Sequence, residues 1–385
     1  MQGLDYVVAQ AALHGIRLIL TLTNYWPDYG GTPQWAQWYN QSSLVEFYQD
    51  DNIRAGVKSY MGKIIMRNNT ITGRLYRDEP AILAWDIMNE PQFPGDDTGK
   101  LLTAWIDDMA SFIKGVDSNH LVMVGSFGAF GASTPGLLAQ NPTDMVVLTD
   151  QDTRLFPVAQ VCQGEDSSAI AALPHIDMAD MHIYPEMWSF CTRDCNFNLE
   201  GMGPYQIVSN LSSEGFLELC SFDCRVAFMR KWIQSHLQEC KRIGKPLIIS
   251  EFGMWRPMSV RNDVYQALYE ELLSAKNSGL PVAGSLFWML EAAQHNNSMN
   301  DNYAIFANST MYMHSPHRIQ PMPPPQTKAP DPALLQCASA RIPVAFNADS
   351  DINNDEWQTT LQLISQQAAQ LSGSQAGTVS SESLG

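Results

Sequence analysis

Six short apolar segments, Ile16–Thr23, Ile82–Met88, Leu121–Gly125, Met178–Ile183, Pro246–Ser250 and Ala283–Met289, alternate with amphipathic helical stretches. This alternation constrains the fold more than any other feature, because a strand followed by a crossover helix returns the chain to a parallel neighbour. Leu101, Trp105, Ile106, Met109, Ile113 and Val116 form one apolar helical stripe. Val226, Met229, Trp232, Ile233 and Leu237 form another, with Arg230, Lys231 and Gln234 on the outside. Ahead of the first strand, Leu4, Val7, Val8, Ala11 and Ala12 recur at helical spacing. An open doubly wound sheet would need a switch point and usually a glycine-rich phosphate-binding turn, and the sequence has no such turn. The expected fold is therefore α/β, a TIM-type (β/α)8 barrel. Only six strands are recognisable, and the chain ahead of Gly15 is too short for two more, so the barrel is expected to be N-terminally incomplete.

The barrel is expected over residues 1–314, interrupted at 187–225 by a loop excursion that carries CTRDC and CSFDC. Residues 315–350 contain PMPPPQTKAPDP, which cannot be regular helix or interior strand. A closing helix is expected within 351–373, with Trp357, Leu361, Leu363, Ile364 and Leu371 as its apolar members. The Ser- and Gly-rich residues 374–385 read as a disordered tail.

A net charge of −17 excludes whole classes of partner. Nucleic-acid backbones and anionic membrane surfaces are both bound through Lys and Arg, and this field would repel them. A neutral or cationic partner is expected, and a neutral polysaccharide fits. No run of about 20 apolar residues appears, so no transmembrane helix is expected. The N-terminus lacks the basic start, apolar stretch and small-residue site of a signal peptide. Five N-x-S/T sequons, at Asn40, Asn68, Asn210, Asn296 and Asn308, and seven cysteines point instead to secretion.

The chemistry sits at strand ends. The strand ILAWDIMNEP delivers Asn89, Glu90 and Pro91, and a carboxylate beside an amide at the mouth of a buried strand suits general acid catalysis. PLIISEFG delivers Glu251 in the same way. Each glutamate alone is as well read as a solvated strand-end residue. Two on one barrel face are more specific, because glycoside hydrolysis with retention needs two carboxyl groups about 5–5.5 Å apart. A third strand brings His182 and Tyr184, two residues apart and therefore on the same side. GSLFWML brings Trp288 to the rim, where its flat ring suits a sugar subsite or, more plainly, core packing.

Taken together these segments resemble glycoside hydrolase family 5, and within it the plant- and fungal-type endo-β-1,4-mannanases. GIRLILTLTNYWPDYGGTPQWAQW is similar to that group's third strand and following loop, and NTITGRLYRDEPAILAWDIMNEP to the segment leading into its acid/base. RKWIQSHLQECKRIGKPLIISEFG is similar to the segment leading into its nucleophile, and TTLQLISQQAAQL to its closing helix. The resemblance implies that Glu90 is the acid/base and Glu251 the nucleophile. It implies that Asn89 hydrogen-bonds the sugar 2-hydroxyl, that His182 and Tyr184 support the carboxylates, and that Asn24, Trp26, Trp188 and Trp288 contact substrate. It implies no metal and no organic cofactor, a mannan, glucomannan or galactomannan substrate, a monomer, and an extracellular location. A β-1,4-glucanase of the same family is the nearby alternative, and a silent glycan-binding barrel the distant one. The family's first two strands would precede Leu4, and one of them carries an arginine that hydrogen-bonds the nucleophile in relatives. No residue here matches it, and the start is accordingly expected to be an internal methionine of a longer chain.

The cysteines allow two readings. Cys191 and Cys195 are four apart, as are Cys220 and Cys224, so two disulfides or one four-thiolate zinc site would fit the spacing. Cys162, Cys240 and Cys337 leave an odd total, so at least one thiol has no partner within the chain.

Overall fold

The computed structural model describes residues 1–93, 95–96, 98–142, 145–148, 153–156, 164–185, 222–254, 258–292, 305–307, 360, 362–366 and 369–371. The proline-rich stretch 315–350, the tail 374–385, Trp188, Trp357, Leu361 and Cys162, Cys191, Cys195, Cys220 and Cys337 lie outside them.

Helix α1 (Gln2–Leu13) leads into β1 (Leu18–Thr21), and α2 (Thr32–Trp38), α3 (Val45–Gln49) and α4 (Asp51–Ile65) follow. Strand β2 (Ile82–Asn89), α5 (Lys100–Val116) and β3 (Leu121–Gly125) complete the first half. After a small antiparallel hairpin, β4 (Met145–Leu148) with β5 (Thr153–Phe156), come α6 (Ser167–Ala171) and β6 (Ala179–Ile183). Helix α7 (Phe222–Ile243), β7 (Leu247–Phe252), α8 (Met258–Asn277) and β8 (Val282–Phe287) follow, then the short parallel pair β9 (Leu290–Ala292) and β10 (Ile305–Ala307).

The six expected strands form two parallel sheets, β1-β2-β3 and β6-β7-β8. The sheets adjoin at β3 and β6, where the Asp177 N–H donates to the Val122 carbonyl at 2.9 Å. The result is six consecutive staves of a barrel. Neither hairpin β4–β5 nor the pair β9–β10 is expected from the apolar runs. Helix α7 begins at Phe222, so Cys224 lies on a helix and not in the loop expected to run to residue 225. Cys224 and Phe228 join Val226 on the buried face of that helix. In α5 the stripe is built as expected from Trp105, Ile106, Met109 and Ile113, but Leu101 is 46% exposed and Leu102 is buried in its place. Leu363, Ile364 and Leu371 of the closing helix pack against the same core as α7 and α8.

Two features position the site. The buried Asp5 carboxylate of α1 accepts from Arg67 at 2.7 and 2.5 Å and from Tyr76 at 2.7 Å, tying α1 to the segment beyond α4. Inside the staves, Ala84, Met123, Met178 and Ile248 form an apolar layer, with Ile19 packed against it. One pleat higher, two residues on in each strand, stand Thr21, Asp86, Gly125, Asp180 and Ser250. The interior thus turns from apolar to polar in a single step. Asp86 accepts from Thr21 of β1 and from the Gly125 N–H of β3, both at 2.7 Å. Asp180 accepts from the N–H groups of Ser126 at 3.1 Å and of Ser250 in β7 at 2.9 Å. Two aspartates therefore stitch β1, β2, β3, β6 and β7 together beneath the mouth.

Burial is uneven across the staves. Every residue of β6 is buried, whereas no residue of β1 or β8, the outer strands, is fully buried. Leu286 of β8 is 46% exposed.

Candidate active site

Glu90 stands immediately beyond β2 with a backbone φ of +47°, in the left-handed region that a non-glycine residue occupies at a cost of about 1–3 kcal/mol. Pro91 disfavours the right-handed helical alternative, and the Glu90 N–H is held by the Gly125 carbonyl at 2.6 Å. Gly125 permits this approach: a Cβ there would sit 3.2 Å from the Cα of Asn89 and 3.0 Å from Asp86 Oδ2. So held, Glu90 accepts from the indole N–H of Trp26 at 2.5 Å on one oxygen. Its other oxygen pairs with Nδ1 of His182 at 2.8 Å.

Glu251 lies within β7 and not just past its end, because the ladder continues through Phe252 opposite Ile183. Its carboxylate accepts from the Tyr184 hydroxyl at 2.6 Å and lies 3.5 Å from Nδ1 of His182. One oxygen of each glutamate and one ring nitrogen of His182 lie within 4.8 Å of one another. Those donors are close enough to hold a cation, but both ring nitrogens are already engaged, Nδ1 by Glu90 and Nε2 by Ser250 at 3.0 Å. The cluster is therefore a hydrogen-bonded one. Among the described residues, no Lys or Arg forms an ion pair with either glutamate; His182 is their one cationic neighbour.

Burial alone would drive the His182 imidazolium down. The charges of Glu251, of the hydrogen-bonded Glu90 and of Asp180 outweigh it and hold the group up at about 10. Burial pushes Glu251 up to about 7, helped by the charge of Glu90 and opposed by His182 and Tyr184. Burial likewise pushes Asp86 up to about 6 and Glu165 to about 7. It pushes Asp180 up too, against the charge of His182 and the hydrogen bonds from Ser250.

The sign of these shifts fixes a pH dependence of stability. A carboxyl raised above its unfolded value binds its proton more tightly when folded, so its contribution is full at low pH and lost as pH rises through the folded value. For Asp86, Glu165 and Glu251 that window runs from about pH 4 to about pH 7; for His182 it runs from 6.5 to about 10. Asp5, held low chiefly by Arg67, loses its contribution only on acidification. The melting temperature is expected to fall by about 5 °C or more between pH 5 and pH 9. Differential scanning calorimetry checks this, and a melting temperature that is flat or rising over that range contradicts it.

Of the other expected residues, Asn24 and Asn89 are brought together by a bridge between their backbones, and the Asn89 amide donates to Asn24 Oδ1 at 3.2 Å. Trp26 holds Glu90 through its indole N–H, a role its expected stacking did not anticipate. Trp288 is half-buried against the core of the second sheet, and its backbone N–H donates to the Phe252 carbonyl at 2.7 Å. Trp188 lies outside the described residues. Cys224 is disulfide-bonded and Cys240 is a free, buried thiol. Sequence reasoning missed Asp86, Asp180, Ser126, Ser250 and Glu165. The Ser126 hydroxyl donates to Glu165, and the N–H groups of Gly128 and Ala129 turn toward the same carboxylate at 3.4 and 3.2 Å. Asp180 was within reach of the spacing argument, since it lies two residues before His182 and shares its face.

Similarity to known proteins runs over most of the chain. Mannan endo-1,4-beta-mannosidase 8 of Oryza sativa subsp. japonica is 33% identical over 322 residues, which is 80% of this chain and 74% of the rice protein. The chain belongs to glycoside hydrolase family 5. A model of that family's β-mannosidase-like proteins matches residues 1–144. Mannan endo-1,4-beta-mannosidase 3 of Arabidopsis thaliana is 33% identical over 77% of this chain and 64% of its own length. The solved endo-beta-1,4-mannanase of Thermotoga petrophila superimposes with a TM-score of 0.61 at 27% identity, covering 80% of this chain and 58% of that one. This family 5 chain is a glycoside hydrolase on a partial TIM barrel, and it spans between 58% and 74% of these relatives' lengths.

Proposed function

We propose that this family 5 chain hydrolyses internal β-1,4-mannosidic bonds with retention, Glu251 serving as nucleophile and Glu90 as acid/base. The observation that carries the reading is the separation of the two carboxylates. Their oxygens approach within 4.8 Å, which suits a pair about 5–5.5 Å apart that forms a glycosyl ester. An inverting pair stands about 6.5–9.5 Å apart to leave room for water between. Glu251 would attack the anomeric carbon while Glu90 protonates the departing oxygen. Glu90 would then deprotonate the water that opens the ester. Tyr184 and His182 orient Glu251, and Trp26 and His182 orient Glu90.

The net charge of −17 supports a neutral polysaccharide as substrate. Asn40 and Asn68, the sequon asparagines among the described residues, are both exposed, which supports action outside the cell on wall or storage mannan. The test is release of reducing ends from linear mannan and from soluble cellulose, with the first-formed anomer followed by proton NMR. Cleavage of mannan to the β-anomer is expected. Appearance of the α-anomer first overturns the retaining assignment. Failure to cleave either polymer by protein that unfolds cooperatively makes glycan binding the better reading.

A further inference from the structure

We infer that Asp180 and Ser250 are positioning residues that keep His182 a doubly protonated imidazolium between the two working carboxylates. The inference rests on the reading of Glu90 and Glu251 given above. The geometry of donors leads to it. Asp180 Oδ1 accepts from the N–H groups of Met181 at 2.8 Å and Ser250 at 2.9 Å. Its Oδ2 accepts from the Ser126 N–H at 3.1 Å and from the Ser250 hydroxyl at 2.5 Å. Three of these four donors are backbone N–H groups, which cannot reverse, and with the adjacent His182 charge they favour a carboxylate against the burial that opposes it. Ser250 has one hydrogen and spends it on Asp180. Its oxygen must then accept from His182 Nε2–H at 3.0 Å, while Nδ1–H donates to Glu90 at 2.8 Å. Both ring nitrogens donate, and the ring is cationic.

The alternative arrangement balances and shows what the pair controls. If the Nε2 proton passes to Ser250 Oγ and the serine proton passes to Asp180 Oδ2, an ion pair becomes two neutral groups. His182 then keeps only its Nδ1 proton. The groups facing His182 are Glu90 beyond β2, Glu251 of β7 and Asp180 of its own strand, with Asp86 and Glu165 acting at longer range. The double displacement moves one negative charge from Glu251 to Glu90 as the glycosyl ester forms. A cation 3.5 Å from the first and 2.8 Å from the second faces that charge at both stations.

The test uses the full chain with Ser250→Ala, Ser250→Thr and Asp180→Asn. Beside a neutral ring, Glu251 holds a proton to higher pH, so the acid limb of kcat/KM is expected to move up by about one pH unit in S250A and D180N. S250T, which keeps the hydroxyl, is expected to retain the wild-type profile. A limb that stays in place while activity falls uniformly marks a merely structural role and overturns the proposal. A limb that moves down overturns it as well, because His182 would then keep its charge without the pair. Should D180N fail to fold, S250A alone decides. The ring is also read directly, by nitrogen NMR of labelled histidine at pH 6. Two protonated ring nitrogens in the wild type, with Nε2 unprotonated in S250A, are expected. A neutral wild-type ring overturns the proposal even if no polysaccharide is cleaved, which separates its failure from that of the hydrolase reading.

Discussion

Glu251→Gln is expected to lower kcat on linear mannan by about 10⁴-fold or more while leaving the protein folded. The amide keeps the shape of the carboxylate and can still accept from Tyr184, but it has no charge with which to attack an anomeric carbon. The two effects are expected to have different signs. Burial and the neighbouring Glu90 charge already disfavour an ionised Glu251, holding it up at about 7. A neutral amide avoids that cost, so the melting temperature at pH 8 is expected to match or exceed that of the wild type. Reducing-end assays and calorimetry on the same preparation check both halves. Retained hydrolysis would remove Glu251 from the chemistry. Loss of activity together with a collapsed melting temperature would show only that the residue is structural.

The parts of this site that were legible in the sequence are those governed by strand period. His182 and Tyr184 were placed on one face by their spacing, and the structure sets them on Glu90 and Glu251. The two glutamates were found because apolar runs end at them. The same logic misplaced one boundary, since Ser250 and Glu251 look like the close of a strand whose ladder runs on to Phe252. What the spacing could not supply was adjacency across strands. Nothing local to Asp86 says that Thr21 and Gly125, 65 and 39 residues away, will converge on its carboxylate. Glu165 had no strand to carry it at all. It reaches Ser126 from the loop before α6. The polar layer under the mouth is a product of strands brought side by side, and among the described residues no strand pairs with the outer edge of β1 or β8. Their partly exposed faces are the visible consequence, because a parallel strand is normally covered on both faces.

Glu90→Ala separates the two carboxylates by role in a way that loss of activity alone does not. On mannan, where the departing sugar oxygen is a poor leaving group, removing the acid is expected to lower kcat by about 10²–10⁴-fold. On an aryl mannoside with a strongly acidic phenol, departure needs no proton, so attack by Glu251 is expected to proceed and release a burst of phenol. The glycosyl ester would then accumulate, because the same residue is needed to deprotonate the incoming water. Glu251→Gln should show no burst on either substrate. Mass spectrometry of the burst-phase protein reads the trapped ester directly. The opposite pattern, with a burst in the Glu251 variant, would exchange the two assignments. Equal loss on both substrates in both variants would point to a shared orienting function. The structure favours the asymmetric outcome on a physical ground. Glu90 is held from both sides, by Trp26 at 2.5 Å and His182 at 2.8 Å, so its removal takes two donors' partner away without disturbing the Tyr184 hydrogen bond that aims Glu251. The nucleophile keeps its geometry when its partner is lost, and that makes the burst measurable.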